Sequence, residues 1–525
     1  MNFQDLLAGL KTRHNITAIK VEELYPDEVY LWVNSEDFRA ACEFFNKNLS
    51  VPASAFFAQD KRVKKEGFSL YCVFLARALR KWLFVCVNIG PDRPQFDSLS
   101  RTIYSAGLFE REIKEMFGIQ PKGNPDQRCL RLHEEVWPAG NYPLRKDFQL
   151  PEKIGSTPAE YIFTQGEGDG IFEVPVGPVH AGVIGPGHFR FSVAGEPIIN
   201  LEIRLGFTHR GAEKLFEGKS NEAVNLAECI SGDAAFGHSL AFVQALEKIF
   251  KVEVPLRARY IRAICLELER MYNHSNDIGG IAVDVGFSFP AACAALIKES
   301  IQSLNSGLTG SRFLKRMNVC GGLRNDFGPA QIKLLEDSIK TIRADFRRLV
   351  EMLNSSVSFM DRVDGTGVLK KKTAQDLGIS GLAARACGIN FDLRKDFLGL
   401  YEISGFKLCS ETSGDVLARL RVRIAEFEES LCLIKRFLGK LPAGDILNSG
   451  FLPQAGFGLG YCEGWRGPIL YWLETDNSGK IQRCKIIDSS FANWQGLAYC
   501  VLGDIIPDFP VCNKSFDLSY SGTDL

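Results

Sequence analysis

The spacing of apolar and polar positions over residues 1–125 predicts a small α/β domain. Residues 16–34 have the pattern of two strands around a Pro-Asp turn. Residues 68–89 have the pattern of a second strand pair, apolar enough to be buried on both faces. Residues 99–119 have the pattern of a helix that ends near Gly118. We therefore expect these strands and this helix to form one compact unit.

A connector and a larger helical domain are predicted for the rest of the chain. Residues 126–165 are rich in Pro, Gly and charge, which predicts an extended segment. Residues 188–205 indicate a β-hairpin at the start of a second domain that covers residues 166–525. Four amphipathic segments at 232–251, 256–285, 329–356 and 413–440 predict a helical bundle. The predicted class is α+β, with a small α/β domain followed by a mainly α-helical bundle domain.

Composition excludes several classes of partner. Hydrophobic residues make up 46% of the chain and charged residues 24%, which is typical of a globular protein. The net charge of -1 gives no electrostatic case for nucleic acid or an anionic membrane surface. No secretory signal and no apolar stretch of membrane-spanning length is present. We therefore expect any membrane association to come through partner subunits.

The cysteines and histidines do not form a recognisable metal motif. The 15 cysteines are scattered and none has CxxC spacing, which favours reduced and mostly buried thiols over disulfides or a zinc site. The last of the seven histidines is His274. The C-terminal half therefore has no histidine with which to hold a metal.

Several motifs in order along the chain resemble the large subunit of the energy-converting, membrane-bound nickel–iron hydrogenases. They are VGPVHAGVIGPGHFRF (176–191), LGFTHRGAEKLFEG (205–218), LELERMYNHSNDIGG (266–280), GSRFLKRMNVCGGLRND (310–326), EGWRGPILYW (463–472) and the stretch 488–525. The same pattern is similar to the 49-kDa-type subunit of respiratory complex I. Residues 108–119 and 130–148 resemble its 30-kDa-type subunit. The resemblance implies two subunits fused in one polypeptide.

The chain departs from this family at the metal ligands. The resemblance implies two CxxC pairs that bind nickel and iron, but the matching positions are Ser231 and Ala234 in the first pair and Ser490 and Asn493 in the second. Serine and asparagine stay neutral near pH 7 and are poor ligands for soft metals. We therefore expect neither a metal nor any other cofactor on this chain.

The complex I relatives imply a quinone site instead, but its recognised residues are also missing. The resemblance implies a tyrosine after the first helix start, where this chain has Gly232, and a histidine on the first hairpin turn. His180 and His188 are spaced as in hydrogenases. A proton-carrying glutamate of the family is replaced by Gly185. Quinone reduction and a non-catalytic structural role therefore stay as alternatives.

Four residues are candidates for a proton relay. Asp277 matches an aspartate beside the quinone cavity of complex I, and it lies three residues after His274, on the same face of a predicted helix. With Glu269 the two form either a relay or a satisfied polar pair. His238 matches a family histidine with a structural or a proton-carrying role. Asp233 is new in the vacated cavity, as a proton carrier or as a residue favoured by the helix dipole.

The resemblance also implies the partners. His209 and Arg210 are expected to face the iron–sulfur cluster of a neighbouring small subunit, with helix capping as the alternative. Arg466 is expected to hold an anionic group or to pair with Glu463 or Asp488. Further implied partners are a ferredoxin-like subunit and antiporter-like membrane subunits.

The implied function is electron transfer in the peripheral arm of an energy-converting oxidoreductase. The subunit would lie on the cytoplasmic face of the cell membrane, and its complex would couple the redox reaction to proton or sodium movement. We find no reason to place NAD on this chain, and hydrogenase activity itself is not expected. The electron acceptor is not indicated by the sequence.

Overall fold

The computed structural model describes residues 3–151, 154–155, 157–181 and 184–525, and its N-terminal part is built on a five-stranded sheet. The strands are β1 (Lys20–Tyr25), β2 (Glu28–Trp32), β3 (Ala53–Asp60), β4 (Phe68–Ala76) and β5 (Lys81–Ile89), in the order β1-β2-β5-β4-β3. Within this five-stranded sheet of described residues, β2–β5 is the one parallel pair. Three helices, α1 (Phe3–His14), α2 (Phe38–Leu49) and α3 (Gly107–Phe117), and the short strands β6 (Gln95–Asp97) and β7 (Gln120–Lys122) complete this part.

Both faces of this sheet are buried, which explains why residues 68–89 are so uniformly apolar. One face packs against the three N-terminal helices through residues such as Phe45 and Phe56. The other face packs against the C-terminal sheet through residues such as Tyr71 and Trp472. All nine residues of β4 are buried as a result. The sequence pattern of a strand buried on both sides is thereby confirmed.

The second part opens with a three-stranded antiparallel sheet and continues with helices. The sheet consists of β8 (Ile171–Val176), β9 (His188–Ala194) and β10 (Ile198–Arg204), so the predicted hairpin is the β9–β10 pair. The first group of helices is α4 (Ala212–Phe216), α5 (Val224–Ala227), α6 (Ala235–Ile249), α7 (Leu256–Asp284), α8 (Ser288–Thr309) and α9 (Pro329–Ser355). The short strands β11 (Asn318–Val319) and β12 (Gly322–Leu323) lie between α8 and α9.

A second group of elements completes the helical domain and its C-terminal sheet. The helices are α10 (Val357–Val363), α11 (Lys371–Leu377), α12 (Gly381–Ala386), α13 (Leu393–Asp396), α14 (Gly399–Ile403), α15 (Val416–Gly439), α16 (Ser490–Cys500), α17 (Phe509–Phe516) and α18 (Tyr520–Asp524). The sheet is formed by β13 (Gly456–Glu463), β14 (Pro468–Thr475) and β15 (Ile481–Asp488), all antiparallel. The overall class is α+β, as predicted.

The N-terminal sheet is tied to the helical domain by buried ion pairs as well as by apolar contacts. Lys485 on β15 pairs with Glu112 on α3 and, at 3.0 Å, with Glu213 on α4. Arg131 in the connecting segment is 2.9 Å from Glu112. These contacts fix strand β15, whose last residue, Asp488, leads into the site described below. Among the described residues, no helix is long and apolar enough to cross a membrane.

Candidate functional site

Two of the four substituted ligand positions are joined by hydrogen bonds. Ser231 precedes α6 and Ser490 begins α16, and both contact Ser519 in the loop before α18. The hydroxyls of Ser231 and Ser519 are 2.7 Å apart, and the Ser519 N–H donates to Ser490 Oγ at 3.0 Å. Ser231 also donates to Asp233 at 2.7 Å. The two serines are therefore bonded to protein groups that occupy the space between them.

The other two substituted positions are also unsuited to a metal. Asn493 on α16 accepts from the Ser380 N–H at 3.0 Å and donates to the Ser380 carbonyl at 3.2 Å, so its amide holds the loop before α12. Ala234 is buried and offers no donor atom. No cluster of three or more histidine, cysteine, aspartate or glutamate side chains suited to a metal exists in the described part of the chain. These residues do not fit a nickel–iron centre.

An arginine lies beside Ser231 and Asp233. Arg466, in the turn between β13 and β14, forms a bidentate pair with Asp233, with N···O distances of 2.9 and 2.6 Å. The guanidinium also donates to the Asp517 carbonyl and lies 3.6 Å from the Asp517 carboxylate. The pairing expected with Glu463 or Asp488 is not the one adopted. Arg466 therefore joins two carboxylates that are far apart in the sequence.

Asp277 is a fully buried neighbour of Asp517 and extends this group of charges into the protein interior. Arg423 on α15 donates to Asp277 Oδ2 at 2.9 Å, while Oδ1 is buried with no donor to accept from. Burial and the facing Asp517 carboxylate raise the pKa of Asp277 well above its ordinary value. Burial also acts to raise the pKa of Asp517, but the charges of Lys514 and Arg466 and a hydrogen bond with Asp277 outweigh it and lower that pKa. These opposite shifts favour a proton on Asp277 while Asp517 stays ionised.

Lys514 links this pair of carboxyl groups to the protein surface. Lys514 on α17 donates to Asp517 at 2.7 Å, and its side chain is 27% exposed, whereas that of Asp277 is fully buried. Burial raises the pKa of Asp284, at the end of α7, against the opposing charge of the nearby Lys514. The Lys514 chain runs across Gly280, where any side chain would overlap it. We refer to Asp233, Arg466, Asp517, Lys514, Asp277 and Arg423 as the open cluster.

His238 lies beside the open cluster but makes separate contacts. Its Nε2 is 3.1 Å from Asp488 Oδ2, and its Nδ1 is 3.0 Å from the Tyr471 hydroxyl. Burial acts to raise the pKa of Asp488, but the hydrogen bond and charge of His238 and the charge of Arg466 outweigh it and lower that pKa to about 2. A carboxylate only accepts, so His238 Nε2–H donates to Asp488. The histidine thus positions Asp488 just before Ser490.

His274 does not contact Asp277, although the two share one helix. Its Nε2 is 2.9 Å from Glu426, and burial lowers its pKa to about 4. Glu426 pairs with Arg385 at 2.7 Å, inside a network of charges that are all nearly inaccessible to solvent. We refer to this network as the sealed cluster; it consists of Glu267, Arg270, His274, Arg385, Asp392, Arg394, Glu426 and Glu463.

Glu269 and the residues of the HRG turn have local partners. Glu269 accepts from the N–H groups of Phe236 and Gly237 at 2.7 and 3.0 Å, and burial raises its pKa to about 8. It thus caps the first turn of α6 rather than reaching His274. His209 Nδ1 is 2.7 Å from the Asp524 carbonyl, and Arg210 donates to the carbonyls of Cys229 and Ile230. Arg210 is exposed, so it remains available to a partner.

The sequence reasoning missed Asp517, Lys514 and Arg423. Asp517 lies 240 residues from Asp277, so no local pattern joins them. One signal was present in the sequence: α15 carries Arg419 and Arg423 four residues apart on a buried face, and a buried arginine requires an acceptor. That signal predicts a buried acid but does not say which one.

Comparison with known proteins places this geometry in a family. The family described as "Respiratory-chain NADH dehydrogenase, 49 Kd subunit" matches residues 284–451, and its 30 Kd counterpart matches residues 31–153. Formate hydrogenlyase subunit 5 of Escherichia coli is 34% identical, over 90% of this chain and 84% of that protein. Hydrogenase-4 component G of the same organism is 31% identical, over 99% and 92%.

A solved structure resembles two thirds of the chain. A chain of the membrane-bound sulfane sulfur reductase, described as an archaeal respiratory membrane complex, has a TM-score of 0.64 and 26% identity. The match covers 67% of this chain and 98% of that one. The sequence similarity to hydrogenase-4 component G, over 99% of this chain, therefore extends across the substituted positions.

Proposed function

Because this chain belongs to the family of fused 30-kDa and 49-kDa complex I-type subunits found in membrane-bound hydrogenase complexes, we propose that it is an electron-transfer subunit of such a complex without a metal centre of its own. It receives electrons from an iron–sulfur cluster in a neighbouring small subunit, facing the turn of His209 and Arg210. It sits at the cytoplasmic face of the membrane, beside antiporter-like and ferredoxin-like subunits, and its complex couples the redox reaction to proton or sodium movement.

The observation that supports the proposal is the set of contacts around Ser231 and Ser490, which involves an arginine and two acids. A serine–serine–serine contact joins both lost ligand pairs, and Arg466 is bonded to Asp233 beside it. A redox event in the neighbouring cluster changes the charge near this arginine, and nearby charge shifts the proton affinity of a carboxyl group. Reduction therefore favours proton uptake by the open cluster.

Asp277 and Asp517 are the groups that hold the transferred proton in this proposal. Asp277 carries it at Oδ1 and donates it to Asp517, because Oδ2 accepts from Arg423. Lys514 balances the charge that stays on Asp517. A proton that enters past Asp284 and Lys514 reaches this pair without crossing apolar protein. His274 takes no part in the transfer, since it lies in the sealed cluster.

The test is Asp277→Asn in the purified membrane complex that contains this chain. Asparagine keeps the acceptor for Arg423 and a donor toward Asp517, so we expect the midpoint of unfolding to change little. It cannot release a proton, so we expect ion translocation per electron transferred to fall by at least about a hundredfold, within the usual range for removing an acid–base group. Asp337→Asn, on the exposed surface of α9, is the matched control.

Two results would contradict the proposal at different steps. Stoichiometric nickel in the purified complex, assigned to this chain, would end the claim that it has no metal centre. Electron transfer and ion translocation that are both unchanged in Asp277→Asn would instead favour the structural role. Loss of translocation with normal electron transfer is the outcome that we expect.

A further inference from the structure

A cavity separates the N-terminal sheet from the helical domain. Its volume is about 490 Å³, within the range of small-molecule sites. One wall is formed by the end of α2, the start of β3 and the segment before α3, and the other by α11 and the loop that follows it. The floor is the junction of β15 and α16, at Asp488 and Ser489. The cavity therefore lies behind the substituted ligand position Ser490.

The interior of the cavity is apolar and aromatic. Its inner wall includes Trp82, Phe109, Leu470 and Phe491, each almost fully buried. In a close-packed protein interior, apolar side chains contact other atoms on all sides. An apolar void that stays empty lacks those contacts. An apolar group of a ligand would therefore be stabilised here by van der Waals contact and by the hydrophobic effect.

The mouth of the cavity carries positive charge from both domains. Lys47 at the end of α2 is exposed and forms no ion pair with any described residue. Lys372 on α11 bonds to Asp376, and Arg77 after β4 pairs with Asp396 at 2.9 Å. An anionic group at the mouth would therefore meet one free cation and two that are only singly paired.

The floor of the cavity carries negative charge, which determines the orientation of a bound anion. Asp488, with a pKa lowered to about 2, is negatively charged at neutral pH and would repel an anion. Ser489 beside it is 5% exposed, and its hydroxyl has no hydrogen-bond partner. A buried hydroxyl without a partner is costly, and a neutral polar atom at the inner end of a ligand would satisfy it.

We propose that this cavity binds an amphipathic organic anion, with a carboxylate at the mouth between Lys47 and Lys372 and an apolar chain or ring toward Trp82. The occupant bridges the two fused domains and contacts the turn that carries Asp488 into Ser490. Binding therefore stabilises the docking of the N-terminal domain and reaches the substituted metal site from behind. This inference does not depend on the electron-transfer proposal, because it concerns ligand binding in a separate cavity and its test measures binding alone.

The test measures quenching of tryptophan fluorescence by a dodecanoate with bromine on its terminal carbon, using the full chain. Bromine quenches on contact, so we expect saturable quenching that dodecanoate reverses and that Trp82→Phe largely removes. The double variant Lys47→Glu with Lys372→Glu should weaken binding about tenfold, as expected for two exposed charge contacts. The double substitution to arginine should restore it.

Controls separate this site from general hydrophobic binding. Dodecyltrimethylammonium has the same chain with the opposite charge, and we expect it not to compete. Gln375→Trp, at an exposed position on α11, should block the mouth of the cavity without placing a large side chain in the hydrophobic core. Equal competition by the cation, or quenching that persists in Trp82→Phe, would overturn the proposal. Binding only to vesicles of phosphatidylglycerol, unchanged by Lys47→Glu, would overturn it too and indicate a membrane surface instead.

Discussion

The open cluster and the sealed cluster contain the same kinds of side chain but differ in access to solvent. In the sealed cluster the charged side chains are 0–1% exposed, and Arg385 contacts three acids at 2.7, 2.8 and 3.2 Å. In the open cluster Asp233 is 38% exposed, Lys514 27% and Asp517 18%. A proton cannot enter the first network without opening the fold, whereas it can enter the second from the surface.

The two clusters also differ in hydrogen bonding. Glu267, in the sealed cluster, accepts from Arg394, Arg270, Ser430 and Tyr401, and these partners outweigh its burial and lower its pKa. Asp277, in the open cluster, has one oxygen bound to Arg423 and one with no donor. Glu267 therefore stays ionised, while Asp277 retains a proton that it can exchange. Burial also raises the pKa of Glu463 in the sealed cluster to about 7, so the two clusters differ mainly in access to solvent. The comparison assigns stability to one cluster and proton exchange to the other.

The largest effect is expected in the sealed cluster, from Arg385→Met. The change leaves Glu426, Glu463 and Asp392 with less compensating charge, and breaking a buried ion pair costs about 3–5 kcal/mol. Denaturant unfolding of the purified chain measures this loss. Arg421→Met, on the exposed face of the same helix α15, should change stability by less than about 0.5 kcal/mol. Similar losses for both variants would remove the distinction between the clusters.

A smaller loss is expected in the open cluster, from Arg466→Ala. Its partner Asp233 is more than a third exposed, so water compensates part of the lost pair and the cost falls to about 2–3 kcal/mol. Adding Asp233→Ala should recover part of this loss, because the acid no longer needs a partner. A double-mutant cycle by chemical unfolding measures the coupling. Strictly additive effects would show that the bidentate pair contributes nothing.

The long helices were predictable because their apolar faces repeat at helical spacing. Segments 256–285, 329–356 and 413–440 correspond to α7, α9 and α15 within three residues at either end. The prediction was wrong over 99–106, where the helix starts only at Gly107. Helix α8 was missed, although it is a long helix with alternating small and apolar residues. The parallel β2–β5 pair was not predicted either, since non-local pairing leaves no local signal.

From the sequence we could predict which residues of the site are substituted, but not which residues they contact. The resemblance picked out Ser231, Asp233 and Asp277 one by one. Their partners Ser519, Arg466 and Asp517 lie 233–288 residues away in the chain, so only folding brings each pair together. Helical spacing suggested a bond between His274 and Asp277, but that spacing places two side chains on one face without fixing what each one meets. Packing of α15 against α7 gives them different partners, because Asp277 accepts a hydrogen bond from Arg423 and His274 bonds to Glu426.

The smallest effect is expected for His274→Asn, which tests whether this histidine belongs to the relay or to the sealed cluster. An asparagine retains a donor for Glu426 but loses the ring contact with Trp465, so we expect a loss of about 1 kcal/mol at pH 7 and unchanged ion translocation.

Burial lowers the pKa of His274 from 6.5 to about 4, so between these pH values the unfolded chain binds a proton at this residue and the folded chain does not. Stability attributable to this group is therefore complete above about pH 6.5 and is lost as the pH falls toward 4, by up to about 1.4 kcal/mol per pH unit. Unfolding measured across this range should be less sensitive to acid in His274→Asn than in the parent chain, with His14→Asn on the exposed end of α1 as control. An unchanged acid profile together with a loss of translocation would move His274 from the sealed cluster into the proton path.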